Sequence, residues 1–259
     1  LLRPFHGSIL ASRDRHRFIV TDSSTFTARL RDRIYGDDPH PYDLLEREVR
    51  RRLEPSHTLF EIGCGRTAPL LRHFEGAAER LWGIDLVDFR ADDLPAGIEI
   101  HKADAAATGL EDCSVDLAYS RAVMEHVEDA DAVFKEVHRI LRPKGSYVFL
   151  TPSLWDYASL VSMAIPNKFH PQIVRLTEGR AEEDVFPAHY QCNTRGAVRR
   201  LSKAHGLETE SVRFLSQYPC YFQFNPALFL LASAYEKLTC TTELLGPLRG
   251  WMLAVVTKP

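Results

Sequence analysis

The chain has 259 residues, 45% of them hydrophobic and 26% charged, which is enough to bury a substantial core as one domain with embellishments but a squeeze for two. Its net charge of −3 lacks the concentrated basic field that obligatory nucleic-acid binding needs, and no apolar run approaches the roughly 20 residues of a membrane-spanning helix. Five cysteines without a Cys-x-x-Cys pair argue against a zinc site and a disulfide framework and point to a reducing compartment, the cytoplasm.

The chain starts at Leu1, so its natural start is expected to be missing, and the absence of a leader carries little weight. Arginines gather early, at Arg13, Arg15, Arg17, Arg29, Arg31 and Arg33, but acids are interspersed, so a solvated face is expected rather than a phosphate site. From Pro41 to Leu53 a helix is predicted: Tyr42, Leu45, Val49 and Leu53 recur at helical spacing, and Arg50 to Arg52 close it in accord with the helix dipole. The run Leu59-Phe60-Glu61-Ile62 then breaks into Gly63-Cys64-Gly65. That is the signature of a buried strand turning into a ligand-holding loop, since glycine accepts restricted dihedrals and lets a bulky group approach the backbone.

Strands are predicted at 58–62, 80–85, 98–102, 115–120, 145–151, 208–217 and 251–257. A helix is expected at about 129–141, capped by Asp129 or Asp131, with Ala130, Phe134, Val137 and Leu141 as one stripe. Another begins at Asn193-Thr194-Arg195 and ends at Gly206. Alternating strands and helices imply an α/β, mostly parallel sheet with ligands at the carboxyl ends of its strands. Two connections exceed what the sheet needs: 152–192, with Trp155, Tyr157, Phe169, His170, Phe186, His189 and Tyr190, and 218–248, with Tyr218, Tyr221, Phe222, Phe224, Phe229 and Tyr235. Their aromatic content argues against disorder, and with residues 1–40 they are read as a cap over the ligand, or as insertions glued to the body by those rings. The organisation is therefore a single domain: an N-terminal cap (1–40), a ligand-binding core (41–151), a lid insertion (152–192) and a C-terminal half (193–259) with a cap insertion at 218–248.

Gly63, Gly65 and Ala68 satisfy the Gly-x-Gly-x-x-Gly/Ala dinucleotide fingerprint, and Asp85 closes the next apolar run at the offset of about 20 residues expected of a ribose-binding acid. A nicotinamide oxidoreductase is thus one reading, although no Tyr-x-x-x-Lys proton relay is present. The other polar strand ends, Asp104 and Ser120-Arg121, and Glu61 inside the first strand shift the balance. Together with Gly83-Ile84-Asp85, Ala103-Asp104-Ala105, Ser120 to Val127 and Glu136 to Gly145, they make the chain from about Tyr42 onward resemble the class I S-adenosylmethionine-dependent methyltransferases, type 11. The family's Pro-Gly-Gly turn is here Pro143-Lys144-Gly145.

The resemblance implies a Rossmann-like seven-stranded sheet of order 3-2-1-4-5-7-6 with the last strand antiparallel. It also implies S-adenosylmethionine as methyl donor, S-adenosylhomocysteine as product, and a donor site of Glu61, Gly63, Cys64, Gly65, Asp85, Leu86, Asp104, Ala105, Ser120 and Arg121. Asp85 would accept the ribose hydroxyls, and Asp104 the adenine amino group unless it caps the next turn. The glycine loop would line the amino-acid tail, Glu61 would order that loop or meet the amino group through water, and Arg121 would lie near the tail or pair with Glu125. Flanking glycines and a helix start could lower the Cys64 thiol pKa, although packing is the commoner role. For a hydroxyl acceptor the candidate bases are His189, His170 and His126. Some relatives place a metal on Glu-x-x-Glu-His, but Ala122 replaces the first glutamate, so metal independence is expected. The acceptor is expected to be a small molecule rather than nucleic acid, natural-product or glycan-linked, and the apolar stretch Phe222 to Ala234 is suited to a lipid-like group. A non-catalytic binding module remains a further reading, and the oligomeric state, a homodimer included, stays open.

Overall fold

The computed structural model describes residues 26–36, 38–89, 97–164 and 187–259. His170, Phe169, Phe186, the first 25 residues and their arginines lie outside the described residues. Seven strands form one sheet of order β3-β2-β1-β4-β5-β7-β6: β1 (Thr58–Ile62), β2 (Arg80–Asp85), β3 (Ile98–Lys102), β4 (Val115–Arg121), β5 (Leu141–Pro152), β6 (Glu208–Leu215) and β7 (Trp251–Thr257). The first five pair in parallel, and β7 runs antiparallel to both β5 and β6. Chain order, strand order and the single reversed strand agree with the expectation. The reversed β7 also separates this sheet from the open dinucleotide-binding order 3-2-1-4-5-6.

Period-two alternation divides the strands between two cores. Leu59, Val148, Leu150, Leu253 and Val255 face α2 (Pro41–Arg52) through Tyr42, Leu45 and Val49. Phe60, Tyr147, Phe149, Met252 and Ala254 face α3 (Ala130–Ile140) through Phe134 and Val137, and the later Arg195–Ala204 helix through Val198 and Leu201. Asp129 caps α3 by accepting from Ala132 N, and Thr194 caps the later helix by accepting from Ala197 N. These helix ends are set by side-chain oxygens that satisfy otherwise orphaned amides.

Two boundaries shift. β5 begins four residues early, at Leu141, because Val115 pairs with Leu141 and Leu117 with Ser146, so a bulge absorbs the Pro143-Lys144-Gly145 turn. Lys144 stands there at φ +68, a left-handed conformation that costs a residue with a Cβ about 1–2 kcal/mol and that glycine would enter freely. β6 ends at Leu215 rather than 217, releasing Ser216 to Tyr218 from the sheet.

The insertions contain structure the periodicity left unread. α1 (Phe26–Tyr35) precedes α2, and α4 (Tyr157–Ala164) follows β5. With the Arg195–Ala204 helix as α5, α6 (Pro226–Thr239) fills most of 218–248. Aromatic rings join them: Tyr35 meets Tyr218 and Phe229 at 6.3 Å each, and Tyr157 meets Phe222 at 5.9 Å and Tyr235 at 5.6 Å. Such pairs contribute about 0.5–1.5 kcal/mol each beyond their buried area.

Candidate active site

The glycine loop is fastened to the end of β2. Gly63 N and Cys64 N both donate to the Ile84 carbonyl, at 2.8 and 3.0 Å, and Gly65 N donates to Asp85 Oδ2 at 2.8 Å. Asp85 Oδ1 accepts from Val87 N at 3.2 Å. One carboxylate therefore orders both the loop before it and the turn after it. Each of its oxygens retains a lone pair, enough to accept a diol. Leu86 beside it is 53% exposed, an apolar platform at the strand end.

Gly63 and Gly65 stand at φ +77 and +69 for different reasons. A Cβ on Gly63 would sit 2.2 Å from Val123 Cγ2, so this glycine is needed for packing of the loop against the turn after β4. A Cβ on Gly65 would meet no protein atom within 4 Å, so that position faces open space.

Glu61 is buried in β1, and its Oε2 has no hydrogen-bond partner. Burial pushes its carboxyl up to about 7, against the pull of the Arg121 guanidinium. The Tyr119 hydroxyl neighbours Glu61 and helps to hold its carboxyl down, while burial and the Glu61 charge raise that hydroxyl well above its ordinary value. A desolvated acid with an unsatisfied oxygen beside a glycine loop fits a cationic, hydrogen-bond-donating group. The amino-acid end of S-adenosylmethionine carries such a group, and these residues fit it.

The remaining predicted residues divide. Arg121 lies over the Tyr42 ring at 4.8 Å and acts on the Glu61 charge; none of its described ion pairs is with Glu125, whose Oε2 instead accepts from Thr151 Oγ1 at 3.0 Å. Ser120 is buried with its hydroxyl 2.7 Å from Tyr147 Oη, so only its backbone is available to a ligand. Asp104 is exposed and its Oδ1 accepts from Ala106 N at 2.7 Å, capping the next turn, with Ala105 between them. For Cys64 the suggested lowering of the thiol pKa is wrong. Burial raises it, the Glu61 and Asp85 charges raise it further, and the side chain belongs to the core on the α2 face.

His126 and His189 are brought together. His189 N and Tyr190 N both donate to the Glu125 carbonyl, at 2.7 and 3.1 Å, while His126 Nδ1 lies 2.9 Å from the Pro187 carbonyl. Residues 187–190 are thus tied to the turn after β4, with the His189 side chain exposed. Among the described residues no three His, Cys, Asp or Glu side chains are grouped to hold a metal ion. Tyr42 was read from sequence only as helix core, and its ring contact with Arg121 was missed; nothing in the spacing marks it.

The strand order with its reversed seventh strand, and a loop clamped by an acid at the end of β2, are those of the class I methyltransferase fold. Residues 60–149 match the family model for a methyltransferase domain. It is similar to the 27-O-demethylrifamycin SV methyltransferase of Amycolatopsis mediterranei (strain S699), 25% identical over 78% of this chain and 69% of that one. An uncharacterized 37.1 kDa protein in transposon TN4556 of Streptomyces fradiae is 32% identical over 47% of this chain, which spans 39% of that relative's length. Of solved structures, an S-adenosylmethionine dependent methyltransferase from Mesorhizobium loti superposes with a TM-score of 0.57 over 86% of this chain and 99% of that one, at 22% identity, a likeness of fold.

Proposed function

We propose that this protein transfers the methyl group of S-adenosylmethionine to a hydroxyl oxygen of a small molecule, natural-product or glycan-linked, and does so in the cytoplasm. The observation that carries this is the donor cradle: Gly65 N on Asp85, the open face of Gly65, and the buried, unsatisfied Glu61 Oε2 on adjacent strand ends. An oxygen acceptor is supported by the Amycolatopsis relative, named for a 27-O-demethyl substrate. The five cysteines are all free thiols, which supports a reducing compartment. The donor supplies a methyl on a sulfonium: the acceptor oxygen forms the new C–O bond as the C–S bond breaks, sulfur keeps the electron pair, and the hydroxyl proton passes to a base. Alignment alone can lower such a barrier by roughly 7–11 kcal/mol.

Incubation of acceptor pools with methyl-labelled donor, followed by product identification, tests the reading; absence of labelled product from every pool would count against it. Asp85→Ala should weaken S-adenosylmethionine binding by about ten- to a hundredfold, corresponding to roughly 1.4–3 kcal/mol of lost ribose recognition. Unchanged affinity by calorimetry in a folded variant would remove Asp85 from the site. A chelator should leave turnover intact, and its abolition would assign a metal to Glu125 and His126.

Glu61→Gln separates stability from binding. A carboxyl raised to about 7 holds its proton more tightly when folded, so its contribution to stability is fully present below about pH 4.5 and lost as pH rises to about 7. The variant should therefore be less pH-sensitive in thermal denaturation between those limits, while binding the donor about tenfold or more weakly at pH 8. Equal donor affinity would mean that Glu61 serves the loop alone.

A further inference from the structure

The polarity of α6 is inverted. Its inward side sets Ser233, Glu236 and Thr239 beside Phe229, all 3% exposed or less, while its outward side carries leucines: Leu231 is 71% exposed and Leu238 59%. The inward polar groups are bonded where they lie, Ser216 Oγ donating to Glu236 Oε2 at 2.6 Å and Thr239 Oγ1 to the Glu236 carbonyl at 2.8 Å. The helix is therefore seated on the body by a largely polar side, and the side suited to a core is turned outward.

Scattered exposed leucines need no explanation, but these are periodic. Ala227, Leu231, Ala234 and Leu238, all exposed, follow one another at steps of four, three and four, the period of about 3.5 residues that marks a seam between two helices. Their sizes alternate small and large, and that order fits a second copy of itself. About a two-fold axis midway between Leu231 and Ala234, the second copy runs antiparallel, so that Leu231 meets Ala234 of the partner subunit and Leu238 meets Ala227 of the partner subunit. Each leucine finds an alanine across the axis, and no leucine strikes a leucine, as a self-complementary contact requires. The flanking Lys237 side chains fall about 13 Å apart along the helices, beyond a Debye length of roughly 8 Å in physiological salt.

The surface is large enough to hold two chains together. Leu228 and Leu230 flank the seam, and Tyr235 carries it onto α4 by meeting Tyr157 edge-on at 5.6 Å; Leu160 and Val161 stand one turn beyond Tyr157, also exposed. With Phe224 just before the helix, these side chains offer on the order of 800 Å² of apolar surface. That is above the roughly 300–600 Å² of the largest patch on a typical monomer and about what each partner brings to a standard interface. A bilayer is the poorer occupant. The charged residues of the helix are Glu236, which is buried, and Lys237, which pairs with Asp38 at 2.9 Å, so it lacks the basic flank with which an interfacial helix holds anionic lipid.

We propose that α6 docks antiparallel on α6 of a second copy of this chain, with Leu231 and Leu238 in the seam of a two-fold dimer. The inference stands apart from the methyl-transfer reading.

Sedimentation velocity on the full chain, from sub-micromolar to high-micromolar concentration, should show reversible association to the mass of two chains. Leu231→Glu, an outward change that leaves the inward side of α6 untouched, should weaken the dimer by about a hundredfold or more with far-UV circular dichroism unchanged, since it buries two unpaired charges beside the axis. Ala227→Glu and Leu238→Lys should each weaken it too. Combined in one chain they should recover association by about tenfold over either alone: about 16 Å separates the two positions within one helix, and only the antiparallel seam brings them together. A chain that is monomeric throughout would overturn the proposal, as would a dimer unchanged by Leu231→Glu and by Ala234→Glu, the replacement should the first not fold. A double variant no better associated than the single ones would do the same. Co-sedimentation of a monomeric chain with phosphatidylcholine–phosphatidylserine vesicles would assign the face to lipid and overturn it as well.

Discussion

His189→Ala is expected to lower turnover by about 10² to 10⁴ while leaving donor affinity nearly intact, the range typical for loss of a positioned general base. The expectation rests on where the backbone places the residue. His189 N and Tyr190 N are pinned to the Glu125 carbonyl, on the turn that leaves β4, and β4 ends beside the glycine loop of β1. An exposed imidazole held there by its main chain can face an acceptor without being part of the core. His126 shares the same turn, but its Nδ1 binds the Pro187 carbonyl, so His126→Ala should also loosen the segment from Pro187 to Tyr190. Single-turnover kinetics distinguish the two. A chemical step slowed only by His189→Ala supports it as base; a step slowed only by His126→Ala moves the proton there. Near-normal rates in both would mean catalysis by alignment without a base among these residues.

What the sequence revealed followed from periodicity and punctuation. The central strands stood out because β1, β2, β4, β5 and β7 carry apolar runs ended by a polar or glycine-containing turn, and the buried faces of β1, β5 and β7 alternate cleanly between two cores. The donor cradle was legible because Gly63, Gly65 and Asp85 are local in sequence and occupy strand ends. Cys64 was open between a lowered thiol pKa, suggested by the flanking glycines, and packing; burial, which dominates the thiol, decides for packing. Arg121 was open between two partners because its contact with Tyr42 joins residues 79 positions apart, beyond any local pattern. Glu236 offered a signal that went unused: a lone acid in the largely apolar helix Pro226–Thr239 needs a reason to be buried.

Gly65→Val is expected to abolish measurable S-adenosylmethionine binding, a loss above about a hundredfold, in a protein that still folds, whereas Gly63→Val is expected to cripple folding itself. Both glycines sit in the left-handed region, where a Cβ costs about 1–2 kcal/mol. At Gly63 that strain adds to a 2.2 Å collision with Val123 Cγ2, and relieving such overpacking typically costs a further 1–3 kcal/mol. At Gly65 no protein atom is struck, so the added isopropyl group occupies only the open face of the loop that Asp85 holds in place. Gly76 supplies the control: it stands at φ +72 with nothing within 4 Å of a Cβ, in a turn before β2 on the opposite edge of the sheet from the loop. Gly76→Val should match Gly65→Val in its modest loss of thermal stability and leave donor binding untouched. If Gly65→Val binds the donor as the unaltered protein does, the open face of the loop is not where the donor lies, and the donor-site assignment falls with it.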